Sequence, residues 1–492
     1  MIILCGLLAA VVVLSGIALT GRGVVADRPV SASSCRVRVE TPGREIPAGP
    51  EAYTTLDFQE EVLAFNRRTI GGAYRELGSR NPRWDSAALE FLENLSREFA
   101  HLPGRPSMEE LRAEGEGLIE AGCDDPMVFY GYGTALQCTN DWDGAEKYVR
   151  LALDGLIERG YPVNRTLFAV RRLIEIHGHL DRKQELRELR ELHYQKFLET
   201  LQSDIYREGE ERILLEHVAS GLDLIRGYSP SRLDEFTETI KDLPGIDPWV
   251  RDTLAGKAHI KLAWATRGGG WAHTVDQEGW RGFEEHLSEA RLRLTAAWER
   301  QTGYPEAAAH MVTVAMGGGA EPGESARFWF DRSVAAQFDY EPAYNKLFWA
   351  LRPRWGGSHD RMYALGLECL NTRRFDTKVP QELIWALIKI ERDLMDDSYW
   401  RKDGVYENVE AVFAGIEEEP SRSEKDKRYH RSLHAAVAWC VDDFDRAGRL
   451  LDELGDEVDE QALEDMGTSL AGMRVDIAKA RERGEADGDG EE

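Results

Sequence analysis

The fold is decided by PMVFYGYGTALQCTNDWDGAEKYVRLALDGLIERGYP, residues 126–162. The first half predicts an apolar helix, and Asp141 is a good N-cap for a second one, because its side-chain oxygen can accept a hydrogen bond from an unpaired backbone N–H. The second helix has apolar residues three and four apart, which gives it one apolar face. We expect it to end before Gly160 and Pro162, since glycine tolerates a left-handed conformation and proline does not continue a helix. The stretch therefore predicts two helices packed as a hairpin.

Small and large residues in this hairpin follow a definite spacing. They are Phe129, Tyr132, Gly133 and Leu136 in the first helix, and Ala145, Val149 and Ala152 in the second. The spacing resembles the tetratricopeptide repeat, in which small residues stand where two helices cross closely and larger residues fill the remaining grooves.

The same signals recur along the chain. Asp247 and Pro248 open another predicted helix, and a Gly-Tyr-Pro stop recurs at 303–305. We count roughly ten antiparallel helix pairs between Pro126 and Ala480. Such pairs bury their apolar faces only by stacking on neighbours. The predicted fold is therefore all-α, a tetratricopeptide-like α-solenoid.

A second resemblance covers Lys257 to Pro380. Its most distinctive piece is Pro353-Arg354-Trp355-Gly356-Gly357-Ser358, and further matching residues are Ala263-Trp264, Arg267-Gly268, Gly270-Trp271, Trp280, Phe283, Met311 to Met316 and Arg374-Phe375-Asp376. This part looks like an uncharacterised family of bacterial helical-repeat proteins. The resemblance implies an α-helical repeat domain and brings no assigned activity.

The N-terminus supports two interpretations. Residues 1–20 are apolar and uncharged. A small-residue site ending at Ala26 fits a cleaved signal peptide, whereas the length of the apolar run fits an uncleaved membrane anchor. Either way we expect a protein of the cell envelope, with membrane contact only through residues 2–20 if they are retained, and the side of the membrane stays open.

We divide the chain into seven segments. They are a signal peptide or anchor (1–26), a linker (27–55), an N-terminal helical segment (56–125), helical repeats (126–250), a repeat domain with the PRWGGS loop (251–415), a C-terminal repeat (416–480) and a disordered acidic tail (481–492).

Composition excludes some classes of function. The chain has 61 Lys and Arg against 88 Asp and Glu, a formal net charge of −27. A nucleic-acid binder needs a concentrated basic face, so we expect no such partner. The six cysteines do not form a disulfide scaffold. Cys123 and Cys138 could pair in an oxidising compartment, but we favour buried free thiols.

Metal and cofactor motifs are weak. His430 and His434 are four residues apart, yet Arg431 stands where a metalloprotease needs its general-base Glu, so we interpret them as surface or packed histidines. His177 stands near a predicted helix end and is interpreted as a cap. The glycine runs 268–270 and 317–319 lack the Lys-Ser/Thr of a phosphate loop, so we expect them to break helices. We predict no metal, no cofactor and no catalytic residue.

The PRWGGS loop is the best candidate for a binding site. Arg354 offers a planar fork of donors and Trp355 a large aromatic face, which together could hold a carboxylate or stack on a ligand. The alternative is structural, with Trp355 wedged between repeats and Arg354 capping a helix. Our candidate partner-binding residues are Arg354, Trp355, Trp271 and Arg267.

These observations predict a non-enzymatic scaffold. The inner face of a helical array would bind a protein or peptide, whose identity the sequence does not give, and the acidic surface would prefer a basic or neutral one. The alternative is an all-helical carbohydrate-active or lytic enzyme with a carboxylate pair in a Trp-lined cleft. For that enzyme the residues to test are Glu278, Asp360, Trp271, Trp280 and Trp355.

Overall fold

The computed structural model describes residue 46 and residues 52–228, 230–270 and 272–488. Helix makes up 75% of the structure, and no strand occurs in these ranges, which confirms the predicted all-α class. Within the same ranges no helix is long and apolar enough to cross a membrane. The predicted signal peptide or anchor lies outside the described residues.

The helices follow one another with short connections. The first part contains α1 (Thr55–Arg67), α2 (Ala73–Leu77), α3 (Asp85–Phe99), α4 (Met108–Glu120), α5 (Pro126–Cys138), α6 (Trp142–Glu158), α7 (Val163–His179) and α8 (Lys183–Leu201). The middle part contains α9 (Glu211–Ala219), α10 (Gly221–Tyr228), α11 (Pro230–Lys241), α12 (Pro248–Arg267), α13 (Gln277–Arg300), α14 (Pro305–Met316), α15 (Ala326–Ala336) and α16 (Glu341–Ala350). The last part contains α17 (His359–Asn371), α18 (Glu382–Leu394), α19 (Val405–Glu418), α20 (Glu424–Cys440), α21 (Phe444–Leu454), α22 (Glu460–Asp465) and α23 (Leu470–Gly488).

The hairpin of residues 126–162 forms as predicted, from α5 and α6. The N-cap is Asp141, whose Oδ1 accepts a hydrogen bond from the Gly144 N–H at 3.0 Å. A Cβ atom added to Gly133 would lie 2.8 Å from Val149 Cγ2, so glycine is required where the two helices cross. Gly160, just beyond α6, has a φ of 69°, the left-handed conformation expected there.

Similar local chemistry sets the bounds of later helices. Asp247 Oδ1 accepts from the N–H groups of Trp249 at 2.8 Å and Val250 at 3.0 Å, which caps α12. That helix ends at Arg267, and Gly268 follows with a φ of 74°. Residues 317–319 likewise follow the end of α14. Both glycine runs interrupt helices, as predicted.

Helices pack against their neighbours along the chain. Consecutive helices form contacting pairs, among them α5 with α6, α7 with α8, and α12 with α13. Helices that are not consecutive also touch: α9 contacts α12 across two intervening helices, and α12 contacts α14 and α14 contacts α16 across one. Buried apolar residues form one large cluster that contains Ile46 and residues between Leu167 and Ile477, a second between Ile70 and Leu189, and a small third one around Phe65.

The C-terminal residues and two cysteines were also subjects of predictions from the sequence. The last helix continues to Gly488, so residues 481–488, which we expected to be a disordered tail, are helical. Cys123 and Cys138 do not form a disulfide bond with each other, and burial raises the pKa of the Cys123 thiol to about 11.

Candidate functional site

Four helices bring together a group of basic side chains that are far apart in sequence. We call them the basic cluster, and they are Arg171 on α7, Lys257 and Lys261 on α12, His310 on α14, and Lys346 on α16. These side chains are close enough to act on each other electrostatically. The charges of Lys261, Lys346 and Arg171 lower the pKa of Lys257, and the three lysines lower the pKa of His310.

The basic cluster lies in a recess. Its side chains are partly exposed to solvent, yet protein surrounds Lys257, His310 and Lys346 on most sides. Removal of water disfavours a charged ammonium. Burial, assisted by the neighbouring positive charges, therefore lowers the pKa of Lys257 to about 7 and that of Lys346 to about 8. The pKa of His310 falls well below its usual value for the same reasons.

The basic cluster has few partners. Lys257 Nζ donates to the carbonyl oxygen of Ala219 at 2.8 Å, and Lys261 pairs with Asp223 on α10. Arg171 is occupied too, since it donates to the His217 carbonyl oxygen at 2.8 Å and to the Ser220 hydroxyl.

Two members of the basic cluster have no polar partner. Lys346 and His310 make no hydrogen bond or ion pair with any residue in the described part of the chain. The recess therefore holds more positive charge than its surroundings balance.

A second group of polar side chains lies about one helical turn from the basic cluster. Arg212 on α9 and Glu306 on α14 form a buried ion pair, with Arg212 Nε 2.8 Å from Glu306 Oε1. Arg212 Nη2 also donates to Gln337 Oε1 at 2.7 Å. Glu306 precedes His310 by four residues on the same helix, so the two groups share one face of α14.

The chain segment before α1 is bound beside this ion pair. The Phe338 N–H donates to the Tyr53 carbonyl oxygen at 2.9 Å, and the Thr55 N–H donates to Asp339 Oδ1 at 2.7 Å. Gln337 Nε2 donates to Thr55 Oγ1 at 3.0 Å. We call Tyr53, Thr55, Arg212, Glu306, Gln337, Phe338 and Asp339 the edge network. It holds the end of the segment that we interpreted as a linker.

Aromatic contacts strengthen the edge network. The guanidinium of Arg212 lies 5.5 Å from the centre of the Tyr53 ring and 4.3 Å from that of Phe58. Thr54 between them is extended, with φ −124° and ψ 173°. Thr54 is the N-cap of α1, and this extended conformation is the usual one for a residue that precedes a helix.

Glu216 is an acid beside the edge network. It is exposed to solvent and stands one turn after Arg212 on α9. The protein around it raises the pKa of Glu216 to about 7, with Arg212 opposing the shift and Glu306 adding to it. A group with a pKa near neutrality changes charge readily when a ligand approaches.

The predicted partner-binding residues lie at a different edge of the same helices. Trp355 packs edge-on against Trp264, with ring centres 5.4 Å apart. The Arg267 guanidinium lies 5.5 Å from the Trp264 ring and 5.1 Å from the Trp280 ring. Trp355 and Arg267 therefore meet through Trp264, which follows Lys261 by three residues on α12.

The remaining two candidates are less informative. Arg354 is exposed, with its guanidinium 5.4 Å from the ring of Trp349, which follows Lys346 by three residues on α16. Trp271 lies outside the described residues. The indole Nε1 of Trp355 is buried and has no hydrogen-bond partner in the ranges that the structure describes.

The two acids of the enzyme alternative have separate surroundings. Glu278 is 3.9 Å from Arg281 on its own helix, and Asp360 accepts a hydrogen bond from the Tyr399 hydroxyl at 2.8 Å. No contact between Glu278 and Asp360 is present in the described ranges. Trp280 stacks on Arg267, as described above.

The two histidines four residues apart have separate partners. His430 Nε2 lies 2.9 Å from Gln381 Oε1, while His434 bonds to Glu410 and stacks on Phe413. Both rings are buried, in agreement with the interpretation of packed histidines.

His177 does not cap α7, contrary to our expectation. Its ring lies between two carboxylates, with Nε2 3.0 Å from Glu146 and Nδ1 3.3 Å from Glu185. These three groups are close enough to share a cation. However, Arg150 and Arg182 already contact the carboxylates, so the negative charge is balanced by the protein itself.

A cavity of about 310 Å³ lies between α11, α12 and α13. Its cationic lining residues are Lys241, Arg251 and Arg293. Each of them has a carboxylate partner, at 2.6 Å from Glu238, 3.6 Å from Asp252 and 2.8 Å from Glu289, respectively. In contrast to the basic cluster, this cavity therefore has no surplus of unpaired charge.

The sequence analysis missed both the basic cluster and the edge network. The available signal was a set of ionisable pairs spaced by four residues on three helices: Arg212 with Glu216, Lys257 with Lys261, and Glu306 with His310. Such spacing places two side chains on one helix face. That the faces converge depends on packing, which the spacing does not reveal.

No protein-family model, curated protein or solved structure matches this chain. The likeness of residues 257–380 to a bacterial repeat family therefore stays a prediction. The interpretation of the site depends on the geometry described above.

Proposed function

We propose that this protein is a non-enzymatic helical-repeat scaffold that binds an extended segment of a protein or peptide. The binding groove runs across α9, α12, α14 and α16. The observation that carries the proposal is the docked segment at residues 53–55, which the protein already holds through the Tyr53 carbonyl oxygen and the Thr55 N–H.

The first support for the proposal is that the protein already binds polypeptide backbone. An extended polypeptide brings unpaired N–H and C=O groups, which need partners when they are removed from water. Phe338 supplies a donor to the Tyr53 carbonyl, and Asp339 supplies an acceptor to the Thr55 N–H. A surface that meets these needs for its own chain has the chemistry to meet them for a partner.

The arrangement of helices is the second argument. A solenoid of helix pairs requires contacts between successive pairs, and the contacts of α12 with α14 and of α14 with α16 are of this kind, with α9 packed on α12 across two helices. In such an array one helix of each pair lines an inner surface. Glu216, His310 and Lys346 would lie on that surface and have side-chain groups available for a ligand.

We further propose that the protein acts at the cell envelope, exported or held by a single membrane anchor. The support is the apolar, uncharged run at residues 1–20. Cell fractionation of the full chain, with N-terminal sequencing of the product, tests this. A product that begins at Met1 and stays in the soluble cytoplasmic fraction would contradict it.

Site-specific crosslinking tests the binding groove. A random peptide library is first selected on the full-length protein. The photoreactive residue p-benzoylphenylalanine is then placed at position 216, inside the groove. As a matched control it is placed at position 292, where Leu292 on α13 is 60% exposed.

The expected result is that selected peptides crosslink at position 216 and not at position 292. The proposal fails if selection enriches no peptide. It also fails if the crosslinks are as frequent at the control position as in the groove.

A further inference from the structure

The basic cluster is unusual for this protein. The chain as a whole has a formal net charge of −27, yet the recess collects five basic side chains around one paired carboxylate, Asp223. Lys346 and His310 have no polar partner in the described residues. Both side chains are partly exposed, so water can solvate them, and an anionic ligand that replaced this water would meet the positive charge of Lys346, which is paired with no carboxylate of the described residues.

The chemistry of the recess defines what would complete it. Lysine ammonium groups are compact point charges with several donors, so they suit anionic oxygens in many orientations. Arg171, the one residue with a planar fork, already uses that fork on the His217 carbonyl and the Ser220 hydroxyl. The free positive charge therefore comes from Lys257 and Lys346, on two different helices.

We propose that the basic cluster binds the side-chain carboxylates of an acidic segment in the partner polypeptide. This inference rests on the proposed function and names the chemical class of its ligand. The partner segment would lie beside the chain's own bound residues 53–55, and the lysines, about one turn further along the helices, would bind its Asp or Glu side chains.

A polypeptide is favoured over a free phosphate by position. The edge network, which shares one face of α14 with the basic cluster, already binds polypeptide backbone. Two aromatic rings, Trp264 and Trp349, follow the lysines by three residues on α12 and α16, so the same helix faces also offer apolar contact. A partner that extends past the carboxylates would use these rings, and a phosphate ion would not.

The proposal reverses the expectation that the acidic surface prefers a basic or neutral partner. The overall negative charge repels an acidic segment from most of the surface. The recess is then the place where such a segment is attracted, so the two effects together confine it to one site.

Fluorescence anisotropy with the full-length protein tests this inference. The acidic probe is a labelled octapeptide of alternating Glu and Gly with both termini blocked. The neutral probe replaces each Glu with Gln, and inorganic phosphate is a competitor. We expect the acidic probe to bind at least about ten-fold more tightly than the neutral one.

Matched variants locate the site. Lys257→Ala combined with Lys346→Ala should weaken binding of the acidic probe by about ten-fold or more and leave the neutral probe unchanged. The control combines Lys183→Ala with Lys479→Ala, whose side chains are 81% and 58% exposed, and should bind as the original protein does. Lys346→Arg keeps the positive charge and should therefore keep binding the acidic probe. This conservative single variant can still be measured if the double variant fails to fold.

The possible outcomes distinguish failure of this inference from failure of the proposed function. If both probes bind equally and the lysine variants change nothing, this inference is wrong while the proposed function stands. If neither probe binds and the crosslinking experiment also fails, both are wrong. If phosphate alone binds and the acidic probe does not displace it, the site is for phosphate and the polypeptide ligand is excluded.

Discussion

Lys346 is a residue whose charge depends on what occupies the recess. Protein surrounds its ammonium, and burial with the nearby Lys261 lowers the pKa of Lys346 to about 8. Lys257 behaves in the same way, with a pKa of about 7. A bound carboxylate favours the charged form, so binding and protonation support each other.

This coupling predicts that acidic peptides bind more tightly as the pH falls. Both lysines are protonated below pH 7, and they lose their protons as the pH rises through their pKa values. A carboxylate ligand stays ionised above about pH 5. Above pH 8, the affinity for an acidic peptide should therefore fall by about ten-fold per pH unit for each lysine that must take up a proton when the peptide binds.

Calorimetry checks the pH prediction. Titrations in two buffers of different ionisation heat measure the protons taken up on binding, and a count of zero at pH 8 would contradict the coupling. The charged groups that face Lys257 are Arg171 from α7, Asp223 from α10, Lys261 from α12 itself, His310 from α14 and Lys346 from α16. His310 has a pKa well below its usual value, so it stays neutral over this pH range.

Gly133 gives a prediction about packing at one residue. An added Cβ would lie 2.8 Å from Val149 Cγ2 and 3.0 Å from the Val149 backbone nitrogen. Gly133→Ala should therefore lower the free energy of unfolding by about 1–3 kcal/mol. Gly117→Ala is the matched control, because Gly117 is exposed on α4 with no atom within 4 Å of the new Cβ. It should raise stability by up to about 1 kcal/mol, as alanine does in helices.

Urea denaturation measures both glycine variants. Equal effects of the two substitutions would show that the crossing of α5 and α6 is not the reason for the glycine at position 133.

At the scale of elements, the edge network joins α9, α14 and the segment before α1. Arg212 is 5% exposed and Glu306 is 9% exposed, so neither charge is well hydrated once its partner is lost. Arg212→Met should lower the free energy of unfolding by about 3–5 kcal/mol, because it leaves a buried carboxylate unpaired. Combining it with Glu306→Leu should recover most of that loss.

Thermal unfolding of the two single variants and the double variant checks this pair. Additive losses in the double variant would contradict the interpretation, since they would mean that the two side chains do not depend on each other.

The helices themselves were largely predictable from the sequence, and the reason is that their ends are decided locally. Asp141 and Asp247 cap α6 and α12 through bonds to residues two or three positions ahead. Gly160 and Gly268 supply the left-handed conformation just beyond a helix. These relations lie within a few residues and need no knowledge of the rest of the fold.

The site was not predictable in the same way. Arg171 and Lys346 belong to one basic cluster, although the helices α8 to α15 lie between them in the chain. Their meeting depends on how many units intervene and how each stacks, and neither is written in local spacing. Trp355 was identified as a notable residue, but its neighbour Trp264 was found only from the packing.

At the scale of the whole molecule, the buried apolar residues do not form one continuous core. One cluster ends near Leu189, and the largest contains Ile46 and residues from Leu167 to Ile477. Stacked helices stabilise mainly their neighbours, so distant parts of such a chain need not unfold together. We expect the region 88–176 and the region 249–438 to lose structure at different urea concentrations.

Hydrogen exchange with mass spectrometry, carried out across a urea series, tests this expectation. Peptides from the two regions should lose protection at separate midpoints. A single shared midpoint for all peptides would mean that the molecule unfolds as one cooperative unit.

The docked segment at residues 53–55 offers a position for a fluorescent label. Since Tyr53 sits against Arg212 and Phe338, a dye coupled to Ala52→Cys would stand one residue from the place where a partner enters. If a partner binds in the recess, the emission of the dye should change, provided that Cys5, Cys35 and the partly exposed Cys138 are first replaced by serine. The dye-labelled variant would then report the binding of an unlabelled partner in real time.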